Sequence, residues 1–308
     1  MMQIEKVSYG GWPNCYRLKN DHAVLIVTTD IGPRVIHFGP DGEHNMFFVD
    51  QDTLGMVGGE TWRLYGGHRL WTAPEDRART YAADNSKVDV QITEKGIRFT
   101  TRAKESSPIQ KQIFISLHTE KRQVLIEHRL KNLSAETITI APWAVTVMAP
   151  GGTAILPLPA RGPHPEHLLP SSSLALWPYT DLSDQRWHWG QEYIFLEHEL
   201  SASNAQKIGL HCPDGWAAYY NQGCMFVKAF KFDKKDRYPD MNCNLEVFTD
   251  ARLTEVESLG ALTNLKQGKV VQHIEQWFLL DKFDLRGDAY LPYTKAYNAL
   301  KAYLDLSL

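Results

Sequence analysis

Residues 111–132 read KQIFISLHTEKRQVLIEHRLKN, two runs rich in β-branched residues on either side of the turn signal TEKR. Such runs, four to ten residues long and bounded by turn chemistry, read as paired strands. The same texture recurs outward in both directions. HAVLIVTT (22–29), KVDVQIT (87–93) and IRFTTRA (97–103) precede it, with EKG and ESSP as breaks. TITIAPWAVTVM (137–148), AAYYN (217–221), MFVKAFKF (225–232), NCNLEVFT (242–249), LTEVESL (253–259) and VVQHIEQWFLL (270–280) follow. More than ten short strands without alternating helices predict an all-β chain, a large antiparallel sandwich. One helix is expected at the end, where Pro292 suits a first helical position and Tyr293, Tyr297, Leu300 and Leu304 recur at helical spacing.

The 308 residues carry no internal repeat and no shift of composition, so residues 1–308 are read as one domain. The longest irregular stretch, 149–189, is dense in Pro, Gly, Ser and His. A net charge of −3 with mixed signs and no basic run excludes nucleic acid as an expected partner. No run of about 18 apolar residues offers a membrane span. Cys15, Cys212, Cys224 and Cys243 are scattered without a C-x-x-C, which suits free thiols in the cytoplasm. No phosphate loop or nucleophile signature occurs. HPEH (164–167) contains a proline and lacks a third ligand at regular spacing, so neither a metal nor a cofactor is expected. The sequence sets no oligomeric state.

Alternation within strands selects candidate residues. In LTEVESL, Leu253, Glu255, Glu257 and Leu259 share one face, with Thr254, Val256 and Ser258 on the other. Two carboxylates on a leucine face are costly to bury unless paired or used, and desolvation would make one a workable base. The bland alternative is a solvated face. In MFVKAFKF, Lys228 shares a face with Phe226, Phe230 and Phe232, either as a snorkelling rim lysine or as a cation in a cleft. Nine tryptophans and thirteen tyrosines are many for this length; they fill a core, or offer flat faces to sugar rings.

The order of motifs resembles that of the aldose 1-epimerases (galactose mutarotase-like superfamily). VTTDIGPRVIHFGPDG (27–42) is similar to their opening strand and turn, and YGGHRLWTAP (65–74) to a segment of the related hexose-6-phosphate epimerases. TEVESLGALTNLKQGKVVQHIEQWFL (254–279) is similar to the superfamily's closing strands. The resemblance implies a β-supersandwich with a sugar-sized cleft. It also implies ring opening at the anomeric centre, in which a Glu takes the hydroxyl proton and a His protonates the ring oxygen. Matching Leu-Glu-Thr onto Val256–Ser258 puts the base on Glu257. The strand that should carry the acid is PWAVTVMAPGG (142–152), where Trp143 and Ala144 stand in place of Asn-His. His68 is then the candidate acid, or a packing residue under the Gly-Gly turn. Arg34 and Arg69 are expected to bind hydroxyls or an anionic group, or to pair structurally. Trp71 and Trp62 are candidate stacking platforms, and Asp240 a hydroxyl acceptor or a turn residue. The leading expectation is an aldose 1-epimerase-like enzyme acting on a small carbohydrate. A sugar-binding protein without turnover, or a lyase or glycosidase using Glu255 and Glu257, are the alternatives.

Overall fold

A computed structural model describes residues 2–40, 42, 44–102 and 108–281. Among these, twenty-one strands form two antiparallel sheets of eleven and ten strands. The first sheet begins with β1 (Gln3–Tyr9), β2 (Trp12–Lys19), β3 (Val24–Thr28), β4 (Arg34–Gly39) and β5 (His68–Ala73). The second takes β6 (Val88–Thr93), β7 (Gly96–Thr101), β8 (Ile109–Leu117) and β9 (Gln123–Asn132). The chain then shuttles. β10 (Ile138–Met148) joins the first sheet, β11 (Thr153–Pro157) the second, and β12 (Leu174–Leu176) the first. β13 (Trp187–Trp189) and β14 (Tyr193–Glu197) lie in the second, β15 (Gln206–Leu210) in the first, and β16 (Trp216–Asn221) and β17 (Cys224–Phe230) in the second. β18 (Leu245–Thr249), β19 (Thr254–Leu259) and β20 (Thr263–Leu265) belong to the first, and β21 (Val270–Asp281) closes the second.

The first sheet runs β1-β2-β3-β4-β5-β10-β19-β18-β15-β12, with β20 beside β10. The second runs β13-β14-β11-β16-β17-β21-β9-β8-β7-β6. Their facing sides make the main core. Leu70, Val247 and Val256 of the first sheet share one apolar cluster with Ile126, Phe226 and Trp277 of the second. In β9, Val124, Ile126, His128 and Leu130 are buried while their neighbours are more exposed, the period-2 signature of a strand with one face in the core.

Two sequence expectations change here. The stretch 149–189 is not one long loop, because β11, β12 and β13 lie within it. YGGHRLWTAP is a turn only at its start: its last residues are β5, in the middle of the first sheet. Gly66 and Gly67 have φ of 94° and 68°, and a Cβ on either would come within 2.1 or 2.3 Å of a backbone carbonyl oxygen of Phe48 or Val35. Only glycine fits so close an approach. The one segment with a helix-like hydrogen bond among the described residues is Pro239–Asn242, a single turn with left-handed φ at Asp240, Met241 and Asn242; the expected terminal helix lies outside the described residues.

Candidate functional site

The register of four neighbouring strands builds a row of charge on the outer side of the first sheet. Arg69 of β5 pairs with Val145 of β10, Val145 with Glu257 of β19, and Glu257 with Glu246 of β18. Two residues along each strand, Trp71 lies opposite Trp143, and Glu255 opposite Phe248, which faces Lys207 of β15. Strict alternation puts all these side chains on the side away from the main core.

They line or underlie a cleft of about 320 Å³ whose walls include Trp62, Arg69, Trp71, Tyr81, Trp143, Tyr179, Lys207 and Glu255. Glu75, Asp250 and Arg252 stand at its margin. A more open groove past Trp62, Glu75, Arg77 and Tyr81 adjoins it. A hollow of about 610 Å³ elsewhere, against Gln272, Ile274 and Gln276, is lined by none of the sequence-predicted residues.

Aromatic contacts set the cleft's shape. Trp71 touches Trp62, Tyr81 and Trp143 at centroid distances of 5.6, 5.2 and 5.3 Å. The Arg69 guanidinium lies 4.0 Å above the Trp71 ring, and its Nη2 donates to Glu255 Oε1 at 2.9 Å. Arg69 is buried, yet its Nε and Nη1 have no hydrogen-bond partner, nor has Trp62 Nε1. Buried N–H groups left unpaired cost about 1–3 kcal/mol each, so acceptor oxygens on a ligand or water would relieve them. Tyr81 donates to Glu75 and remains 37% exposed.

A second cation sits deeper. Lys207 Nζ lies 4.8 Å from both the Trp143 and Trp177 rings. It stands 2.8 Å from Glu246 Oε2 and 3.1 Å from Glu257 Oε2, and Trp143 Nε1 donates to Glu257 Oε2 at 2.8 Å. Burial raises the Glu257 pKa; Lys207 pulls it back and Glu255 adds to the rise. Burial likewise raises Glu246, to well above the usual carboxylate range. Burial pulls Lys207 down, but its two carboxylates outweigh that and hold it well above its ordinary value.

The sequence-predicted residues fall into two groups. Glu257, Glu255, Arg69 and Trp71 come together on the outer face, with Glu255 rather than the fully covered Glu257 lining the cleft. His68 and Lys228 lie on the opposite side, between the sheets. His68 Nδ1 is 2.9 Å from Thr146 Oγ1 and its Nε2 2.7 Å from His128 Nε2. Lys228 is neither a rim lysine nor a cleft cation. Its Nζ bonds Ala144 O, Val256 O and Glu275 Oε1 at 2.9–3.0 Å. No backbone adjustment brings His68 to Glu257, because β5 would have to turn over. Arg34 clamps the carbonyls of Leu64 and Gly66 and pairs with Asp84, which fixes the segment leading into β5. Asp240 has a left-handed φ of 49° and does not line the cleft.

The interior polar cluster brings ring nitrogens of His68 and His128 and a Glu275 oxygen within 4.8 Å of one another. Two imidazole ligands of a tetrahedral metal stand roughly 3.3 Å apart; these are at hydrogen-bonding distance instead. Lys228 already supplies Glu275 with its cation. The partners also assign the tautomers. His128 Nδ1 faces the carbonyl of His273 and carries a proton, His68 Nε2–H then donates to His128, and Thr146 donates to His68. The group is a closed hydrogen-bond chain.

Sequence reasoning missed Lys207, Glu246, Tyr81 and Tyr179. Lys207 lies in QKIGL, a run not read as a strand, and Glu246 meets Glu257 only through pairing register.

No known protein family and no curated protein matches the sequence. Solved structures do. A galactose mutarotase related enzyme from Lactobacillus acidophilus is 12% identical over 88% of this chain and 98% of its own, with a TM-score of 0.51. A galactose mutarotase-like protein from Lactobacillus casei is 10% identical over 87% of this chain and 100% of its own, with a TM-score of 0.54. A TPR-domain containing protein from Parabacteroides distasonis is 14% identical over 89% of this chain, with a TM-score of 0.58; this chain spans 49% of it. The chain has the galactose mutarotase-like sandwich fold.

Proposed function

We propose that this chain binds a carbohydrate in the cleft over β5, β10, β19 and β15. The observation that carries the reading is the wall itself: aromatic side chains packed around an arginine–carboxylate pair with unused buried donors. A sugar offers apolar C–H faces to such rings and hydroxyl oxygens to such donors, while Glu255 accepts hydroxyl hydrogens. The fold shared with galactose mutarotase-like proteins supports the same reading.

A second reading adds turnover, the opening and reclosing of a sugar ring at its anomeric centre as in an aldose 1-epimerase. It is favoured by Glu246, Lys207 and Glu257, an ionisable cluster directly under the cleft. No histidine lines this cleft among the described residues, so the acid would not be a histidine. Glu255 stands on the cleft wall paired with Arg69 and Glu257 lies beneath it with Lys207 and Trp143, so the two do not flank one bond, and glycosidic cleavage is not proposed. Four buried free thiols suit a cytoplasmic setting. Among the described residues no helix is long and apolar enough to cross a membrane. Calorimetric titration with a panel of free aldoses tests binding, and polarimetry of freshly dissolved anomers tests turnover. Heat without faster mutarotation leaves the binding reading alone; neither signal for any sugar removes both.

A further inference from the structure

Glu246 and Glu257 face each other across β18 and β19 and share one ammonium, Lys207. Their side chains are 0% exposed and that of Lys207 6%. Two ionised carboxylates and one ammonium would bury a net negative charge, which is too costly to hold without a further cation. Among the described groups, no unpaired cation supplies one: Arg69 pairs with Glu255 and Lys228 with Glu275, and Glu255 and Asp240, which also act on the two carboxyls, are negative. One proton must therefore reside on the pair. Its place follows from the donors. Glu257 has two donors, Trp143 Nε1 and Lys207, whereas Glu246 has Lys207 alone.

We infer that Glu246 is a carboxylic acid and Glu257 its ionised partner, and that this pair does the proton exchange of the cleft in place of a carboxylate and a histidine. The second half rests on the ring-opening reading above. Lys207 is the member of the three that lines the cleft, and its four-carbon stem lets the ammonium shift toward the mouth, still facing Glu257, to admit the anomeric centre. Glu257 then takes the proton of the anomeric hydroxyl, the C1–ring-oxygen bond breaks, and its electron pair stays on the ring oxygen. That oxygen takes the proton of Glu246 as the C1 carbonyl forms. Glu257 is now the acid and Glu246 the carboxylate, so the pair still holds one proton. Reclosure on the other face of C1 runs the transfers backwards. Environments that separate two carboxyls in this way define an acid and a base at one pH.

The test is infrared spectroscopy of the whole chain in heavy water at neutral pH, reading the carbonyl stretch of a protonated carboxyl. The natural protein is expected to show it. Glu246→Gln and Glu257→Gln are each expected to lose it, because the remaining carboxylate is neutralised by Lys207. Lys207→Met is expected to strengthen it, and this third variant decides the matter if a glutamine variant fails to fold. A spectrum unchanged across the three variants overturns the shared proton. For the exchange role, anomer interconversion should slow about 100-fold in either glutamine variant. A carboxyl band together with no acceleration of any sugar by the natural protein overturns the ring-opening reading and leaves the acid–carboxylate pair standing.

Discussion

His68 and Arg69 are neighbours in the chain, yet their side chains serve opposite sides of one sheet. His68 Nε2 meets His128 Nε2 at 2.7 Å between the sheets, while Arg69 Nη2 meets Glu255 Oε1 at 2.9 Å over the cleft. The consequence is a division of labour. The histidine belongs to a buried network that holds the sandwich together, and the arginine to a surface that can meet a ligand.

Arg69→Lys keeps the charge but removes the planar group stacked on Trp71 and its geometry toward Glu255. Carbohydrate affinity measured by calorimetry should fall about tenfold, or about 1.4 kcal/mol. Unchanged affinity would remove Arg69 from the site.

Tyr81 and Trp71 touch each other but differ in burial, at 37% and 5% exposed. Tyr81→Ala should weaken sugar binding several-fold and cost under about 1 kcal/mol of stability. Trp71→Ala should destabilise the fold by about 3–5 kcal/mol. Urea unfolding beside calorimetry separates the two, and equal stability losses would show that Tyr81 is core.

Lys228 and Glu275 form an ion pair with both side chains 0% exposed. Removing one partner strands the other, so Lys228→Met should cost about 3–5 kcal/mol. The double change Lys228→Met with Glu275→Gln should cost less than the sum of the single changes. Additive losses in denaturant titrations would mean that the two act independently.

Stability should fall in acid, for a reason readable in the same network. Burial lowers the pKa of His128 to about 4 and of His273 to about 3, and holds His68 well below its ordinary value. Burial alone would raise Glu275, but Lys228 and the three histidines bring it below its ordinary range. An unfolded histidine titrates near 6.5, so below that pH the unfolded chain binds protons that the folded chain refuses. The stabilisation these groups give is present above about pH 6.5 and declines as pH falls towards 4. Glu275 adds a further loss below the usual carboxylate range. Urea midpoints across this window should drop with pH, and His128→Asn with His273→Asn should flatten the slope.

The sandwich was legible because β-branched runs such as QVLIEHRLKN repeat with turn residues between them, and alternation correctly placed Glu255 and Glu257 on one face against Val256 and Ser258. The cleft was legible only in part. β5 lies between two glycines and a proline that do not mark a strand, so alternation does not separate His68 from Arg69 in the sequence. The partners of Lys228 and Glu257, namely Glu275 and Lys207, come from strands 47 to 50 residues away. Strand order and register decide such meetings, and no local pattern encodes them. Trp143, read only as a gap in the family's acid motif, turns out to donate to Glu257.

The central claim is that the outer face of the first sheet binds a carbohydrate through Glu255 and the aromatic wall. Calorimetric titration of the natural chain and of Glu255→Gln with the same panel of free aldoses tests it most directly. At least one sugar should bind the natural protein with 1:1 stoichiometry, and the glutamine variant should bind that sugar at least about tenfold more weakly. A sugar bound equally well by both proteins, or no heat from any sugar in the panel, would contradict it.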